Sequence, residues 1–431
     1  FEEVGIVSRR TVKFGKPPAE QILLIDEINA EFANLAYARY CIGKLLRKNG
    51  GRLDQPSSLM ALTNEGLVLL HEATRDGNAL FSALDSRGPN LPLLLGLGGR
   101  HNEMERISIS LAAMHEIAAA GAGSNVRRNI IWISPGFPII SNSDIGAKSR
   151  SGLFESIRLL SAELLQARMI VYTVDPRGVP SNFGSIDVSS KGFGQYTQSL
   201  AVRGSLNFPD LALQRFARET GGKSFWGRND LDNEIAKSMA DGAGYYTVSY
   251  YPVDNNFDGK FRNLAVKINR PGLKARTRMG YFALPDAPPA TKDQLTTELE
   301  KALSNPVPYI GIQLMATSNA VANDAHLQRI SVKLDRHDLT CKPSQNDGAD
   351  CALIAATASF TSKAKPLEVK SHSFAVNVAG KTRPPLSDEP VTVDLTVPFG
   401  EQISRVRVII RDEASGRMGS VDLGATGIVA Q

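Results

Sequence analysis

The 431-residue chain has no apolar run of eighteen residues, so none of its segments reads as a membrane-spanning helix. Histidine and cysteine are scarce, at six and three. His71, His101, His115, His326, His337 and His372 are scattered without the spacing of a metal centre. Neither a Gly-x-Ser-x-Gly elbow nor a phosphate loop ending in Gly-Lys-Ser or Gly-Lys-Thr is present. Gly221-Gly-Lys-Ser224 lacks the earlier glycine of such a loop and reads as a helix stop. The net charge of +5 is spread rather than gathered into a basic stripe with interleaved aromatics, which argues against a nucleic-acid partner. Internal repeats and low-complexity tracts are absent. A charged start followed by an apolar run is absent too, and with Phe as the first residue this suggests that a leader or upstream segment has been removed.

Hydrophobic content of 42% and charged content of 22% are those of a soluble globular protein, and the length asks for two domains. The most informative event is a short apolar strand that delivers a polar side chain to its C-terminal end. It occurs at Gln21-Ile-Leu-Leu-Ile-Asp26, where Asn29 follows, at Asn129-Ile-Ile-Trp-Ile-Ser134, and at Met169-Ile-Val-Tyr-Thr-Val-Asp175. In a wound α/β sheet, ligands gather above such strand ends. Asp26, Asn29, Ser134 and Asp175 are therefore expected to share one crest.

Between these strands the apolar spacing predicts helices over 32–46, 103–120, 154–167 and 211–220, with a further short helix capped by Asp76. The 103–120 stripe is Met104, Ile107, Leu111, Met114 and Ile117. Ser58–Thr63 and Leu67–Leu70 are expected to form a hairpin around Asn64-Glu-Gly66. Alternating strands and helices predict a mostly parallel, doubly wound sheet. Two long loops, 139–152 and 179–209, leave its crest.

After residue 242 the rhythm turns to strands, at 245–251, 262–268 and 281–282, followed by a proline-rich linker and a helix over 294–303. From residue 310 onward alternating strands predict a β-sandwich. The expected organisation is an N-terminal arm or strand (1–20), an α/β domain (21–284), a linker with a short helix (285–305) and the sandwich (306–431). Cys341 and Cys351 flank a turn-rich segment and are favoured to form a disulfide over remaining reduced thiols, whereas Cys41 lies in a helical apolar pattern.

The ordered series Leu23-Leu-Ile-Asp26, Arg128-Asn-Ile-Ile-Trp-Ile-Ser-Pro-Gly-Phe-Pro138, Val171-Tyr-Thr-Val-Asp-Pro-Arg-Gly178, Glu219-Thr-Gly-Gly-Lys-Ser-Phe225, Tyr245-Tyr-Thr-Val-Ser-Tyr-Tyr-Pro252 and Arg270–Phe282 resembles the von Willebrand factor A-related domain proteins common in Acidobacteria. The resemblance covers roughly residues 20–284. It implies a Rossmann-like A domain in an exported protein at the periplasm, cell surface or outside the cell. In typical A domains a metal-ion-dependent adhesion site holds Mg²⁺ through an Asp-x-Ser-x-Ser loop, a Thr and a second Asp. Here Asp26 matches the first Asp, but Ile28 and Ala30 replace the two serines and Ser134-Pro135 stand where the other Asp belongs. With Asn29 and Ser134 as the remaining oxygens, Mg²⁺ or Ca²⁺ would be undersupplied. No cofactor is therefore expected, and Asp26, Asn29 and Ser134 are the candidate ligands if one binds.

Each candidate has a plainer reading. Asp26 could simply cap the next helix, and Asp175-Pro-Arg-Gly178 could be an ordinary turn. The expected function is non-enzymatic protein binding or self-assembly, through the crest and the sandwich's edge strands, with the arm as one such strand. A cation-dependent adhesin using Asp26, Asn29 and Ser134 is the alternative. A hydrolase using Asp26 and Asp175 lacks any recognisable constellation.

Overall fold

A computed structural model describes residues 19–88, 103–136, 147–178, 211–241, 256–273, 275, 277–278, 280–285, 290–321, 324–343, 349–361, 366–378, 390–398, 400 and 402–424. The chain groups into two compact units. The first comprises Phe1–Met114, Val126–Leu165 and Met169–Pro285; the second comprises His115–Asn125, Gln166–Arg168 and Asp286–Gln431.

The first unit is built on β1 (Ala19–Asp26), β2 (Arg52–Thr63), β3 (Gly66–Asp76), β4 (Arg127–Ile133), β5 (Met169–Val174) and β6 (Ser224–Phe225). They form a 6-stranded sheet in the order β3-β2-β1-β4-β5-β6. Every pairing is parallel except β2 with β3. β1, β4 and β5 are buried along almost their whole length, with continuous apolar runs at 22–25, 130–133 and 169–172, because they are covered on both faces. On one face Leu23, Ile25, Ile131, Ile133, Tyr172 and Val174 pack with residues of α1 (Phe32–Leu46), α2 (Gly77–Arg87) and α6 (Leu231–Asp241). On the other, Trp132 meets Phe216 of α5 (Leu211–Thr220) with ring centroids 6.2 Å apart. Also in chain order are α3 (Glu103–Gly121) and α4 (Ala147–Gln166). A small antiparallel pair, β7 (Phe261–Asn263) with β8 (Gly280–Phe282), follows α6.

The second unit contains α7 (Lys292–Ser304) and β9 (Leu314–Val321), β10 (Asp324–Leu334), β11 (Lys342–Pro343), β12 (Ala349–Phe360), β13 (Pro366–Val378), β14 (Val391–Pro398), β15 (Arg405–Asp412) and β16 (Met418–Gly424). Thr291 and Gln294 close a reciprocal cap at the start of α7. A 3-stranded sheet, β14-β10-β9, and a 5-stranded sheet, β11-β12-β15-β16 with β13 on β12, enclose an aliphatic core. Within it, Ile330, Val332 and Leu395 meet Leu353, Val408 and Ile410. Cys341 and Cys351 are joined by a disulfide, and Cys41 is free and buried.

The expected fold class, a wound and mostly parallel α/β sheet followed by an all-β part, is the one observed. Several local expectations need correction. Residues 19–20, read as part of the arm, begin β1. The loop expected over 139–152 is shorter, because α4 starts at Ala147. The strand expected over 262–268 is confined to Phe261–Asn263. Met104 is exposed rather than part of the core stripe, as are Phe32 and Tyr40 of α1. Residues 1–18 of the arm, the 179–209 loop and the 245–251 strand lie outside the described residues.

Candidate functional site

Because β1 and β4 are neighbours while β2 and β5 lie on opposite sides of them, the strand order reverses between β1 and β4. That is the switch point at which a wound sheet opens a crevice above its C-terminal ends. Asp26 ends β1, Ser134 directly follows β4, and Asp175 directly follows β5. Backbone bonds hold these ends level: Ser134 N donates to Val174 O at 3.0 Å, and Asp175 N to Phe225 O at 2.9 Å.

Asp26 is fully buried, and its carboxylate is saturated. Oδ1 accepts from the Asn29 backbone N at 3.0 Å and Asn29 Nδ2 at 3.2 Å, while Oδ2 accepts from Asn29 Nδ2 at 2.9 Å and Ser134 Oγ at 2.6 Å. Asn29 Nδ2 also reaches Ser110 Oγ on α3 at 3.1 Å, and Ser134 Oγ accepts from Gly136 N at 3.0 Å. The orientation of the Asn29 amide follows from these partners, since turning it over would set Oδ1 against a carboxylate. Burial raises the Asp26 carboxyl above its usual range, opposed by the hydrogen bonds from Ser134 and Asn29.

The structure thus brings Asp26, Asn29 and Ser134 together, and adds Ser110, which carries no sequence signal because it lies in an ordinary helix. Asp26 does not cap the next helix: the residue preceding α1 is Glu31, which makes no side-chain cap. Asp175 stands at the same crest but is committed elsewhere. Its Oδ1 accepts from the Arg177 backbone N at 2.9 Å, and its Oδ2 pairs with the Arg177 guanidinium at 2.6 Å, which is the turn reading. Gly178 allows the next loop to close in, with φ of +75° and an added Cβ only 2.5 Å from Asn229 Oδ1.

The donor set does not fit a hard divalent cation. Such an ion needs several free oxygen lone pairs. Here the single crest carboxylate near Ser134 is filled, Asn29 presents hydrogens to it, and the Ser134 hydroxyl donates. Among the described residues no three His, Cys, Asp or Glu side chains gather as a metal cluster.

Glu27, also buried, lies 3.6 Å from guanidinium nitrogens of both Arg39 and Arg87. Burial raises its carboxyl, against the pull of these two charges. Two exposed aromatic side chains follow strand ends of this sheet, one within a helix read from its apolar spacing and one not singled out by the sequence. Phe32, the first residue of α1, is 48% exposed, and Trp226, directly after β6, is 43% exposed. Both directly follow or nearly follow the C-terminal ends of parallel strands, which are three strand spacings apart, about 14 Å. Trp226 also lines an open depression of about 450 Å³ with Lys223, Ser224, Phe225 and Arg228. Tyr37 Oη donates to Asn229 O at 2.7 Å, tying α1 to the loop after β6.

No family model matches the sequence, and no curated protein matches it. Among solved structures, the chain is similar to an aerotolerance-related membrane protein from Bacteroides fragilis carrying multiple mutations to serine, at 16% identity over 52% of this chain and 98% of that one, with a TM-score of 0.32. It is similar to proximal thread matrix protein 1 from the mussel byssus, at 10% identity over 53% and 48%, TM-score 0.30. It is also similar to the SpRpn10 VWA domain, at 13% identity over 54% and 100%, TM-score 0.25.

Proposed function

We propose that this is an exported, non-enzymatic A-domain protein of the von Willebrand type that binds a protein partner or further copies of itself without a divalent cation. The observation that carries the reading is the saturated carboxylate of Asp26, held by Asn29 and Ser134. An amide here takes the position against the carboxylate that a cation would need. The crest is thereby a rigid platform rather than an open coordination site. Binding energy then has to come from side chains that stand free above it, and exposed aromatics are the residue type that most often supplies it. Phe32 and Trp226 are those side chains.

Several features support the rest of the reading. The Cys341–Cys351 disulfide fits an oxidising compartment. The Ser134 hydroxyl is taken up within the platform, donating to Asp26 and accepting from the Gly136 backbone N–H. A cation-dependent adhesin would require Asp26 to release both Asn29 and Ser134.

The test is capture of a partner from an extracytoplasmic extract of the source organism, with EDTA present throughout. The wild type is expected to retain a discrete partner that Phe32→Ala/Trp226→Ala loses. Capture that needs added Mg²⁺ or Ca²⁺, or that survives loss of both aromatics, would overturn the reading.

A further inference from the structure

The outer side of α1 carries no charge before Lys44. Its inner side is held in the core by Leu35, Ala38, Cys41, Ile42 and Leu46. Arg39, the only other charged residue of the helix, turns inward: its guanidinium donates to Leu84 O and lies 3.6 Å from Glu27, with the side chain 12% exposed. The positions left in solvent are Phe32, Ala33, Ala36, Tyr37 and Tyr40, followed by Lys44. By contrast, α7 exposes Lys292, Asp293, Glu300 and Lys301. A surface helix ordinarily turns charge outward, whereas one that is apolar on every side ordinarily has a neighbour over it.

Phe32, Ala36 and Tyr40 follow one another at a spacing of four and so line one stripe, about 12 Å from end to end. Read from either end the stripe runs large, small, large, which makes it complementary to itself. About a two-fold axis through Ala36, an antiparallel second α1 sets Phe32 against the partner's Tyr40 and Tyr40 against the partner's Phe32. The two Ala36 let the backbones approach between them. Charge selects the same direction. Glu31, exposed and making no cap, precedes the stripe, and Lys44 ends it. Antiparallel pairing brings each Glu31 within about one helical turn of the partner's Lys44 and opposes the two helix dipoles. A parallel partner would set like charge beside like charge at both ends. Lys44 already meets Asp232 at 2.6 Å, but its ammonium has three donors and its side chain is 59% exposed.

We propose that α1 is a self-association surface on which α1 of a second copy docks antiparallel, about a two-fold axis at Ala36. The proposal rests on the reading of Phe32 as a contact residue and names the partner as a second copy of this chain. One helix pair is smaller than a standard stable interface, so the dimer is expected to dissociate on dilution.

The test is light scattering of the full chain across a concentration series, with EDTA present. Wild type is expected to pass from monomer to dimer, while Ala36→Arg and Tyr40→Ala stay monomeric. Both positions are exposed, so the circular-dichroism melts of these variants should match that of wild type. Glu31→Lys is expected to raise the dissociation constant about tenfold, because the two-fold axis repeats each lost pair. Ala36→Cys should give a disulfide-linked dimer on a non-reducing gel, since the axis sets that residue against its own copy. A wild type that is monomeric at every concentration, an Ala36→Arg variant that dimerises like wild type, or an Ala36→Cys variant that stays unlinked would overturn the proposal. Trp226→Ala is expected to dimerise as wild type does. A monomeric wild type that still captures a different protein through Phe32 and Trp226 would defeat this proposal alone and leave the crest reading standing.

Discussion

At the scale of single residues, the Asp26 carboxylate sets the character of the crest. Its pKa is raised from 3.8 by burial, so the folded protein holds this proton more tightly than the unfolded chain does. The contribution of this group to stability is full below about 3.8 and is lost as pH rises through the folded value. Compared with Asp26→Asn, which does not titrate, wild type is therefore expected to lose stability as pH rises from 3.8 towards neutrality in urea unfolding at stepped pH. A flat or opposite difference would show that burial does not dominate. Ser134→Ala removes a hydrogen bond to the buried Asp26 carboxyl group and is expected to cost about 1 kcal/mol in the same assay. Asp26 and Ser134 were legible in the sequence because each terminates a continuous apolar strand. Ser110, Phe32 and Trp226 were not: helical spacing cannot tell the exposed Phe32 from a core residue, Trp226 follows a strand of only 2 residues, and the Ser110 contact joins residues 81 apart.

At the scale of elements, strands and helices buried on one or both faces were legible. α1, β5 and α5 begin and end where the apolar pattern does. Elements with weak patterns were misread or missed. α4 opens with Ala147-Lys-Ser-Arg-Ser-Gly, which has no apolar period. α6 was passed over although Leu231, Ile235 and Met239 stand at helical spacing, and β6 is 2 residues long. β13 is 13 residues long, but Lys370-Ser-His-Ser373 hides its first half. The turn after β5 depends on Gly178, where a side chain would meet both a left-handed backbone and Asn229. Gly178→Ala is expected to cost about 2 kcal/mol in chemical denaturation, and no loss would place the loop after β6 elsewhere. The disulfide closes a separation of 10 residues, and Cys341→Ala/Cys351→Ala is expected to cost roughly 2–3 kcal/mol, read by calorimetric melting.

At the scale of the whole molecule, the two kinds of architecture were visible as a change of sequence rhythm, from strand–helix alternation to strands alone. The grouping of residues 115–125 and 166–168 with the later part was not visible, because it depends on contacts remote in sequence. The central claim concerns what the crest can hold. It is tested most directly by calorimetric titration of the full chain with Mg²⁺, Ca²⁺ and Mn²⁺, beside Asp26→Ala. The expected result is no saturable heat from either protein. A saturable heat of one ion per chain in the wild type, lost in Asp26→Ala, would contradict the account.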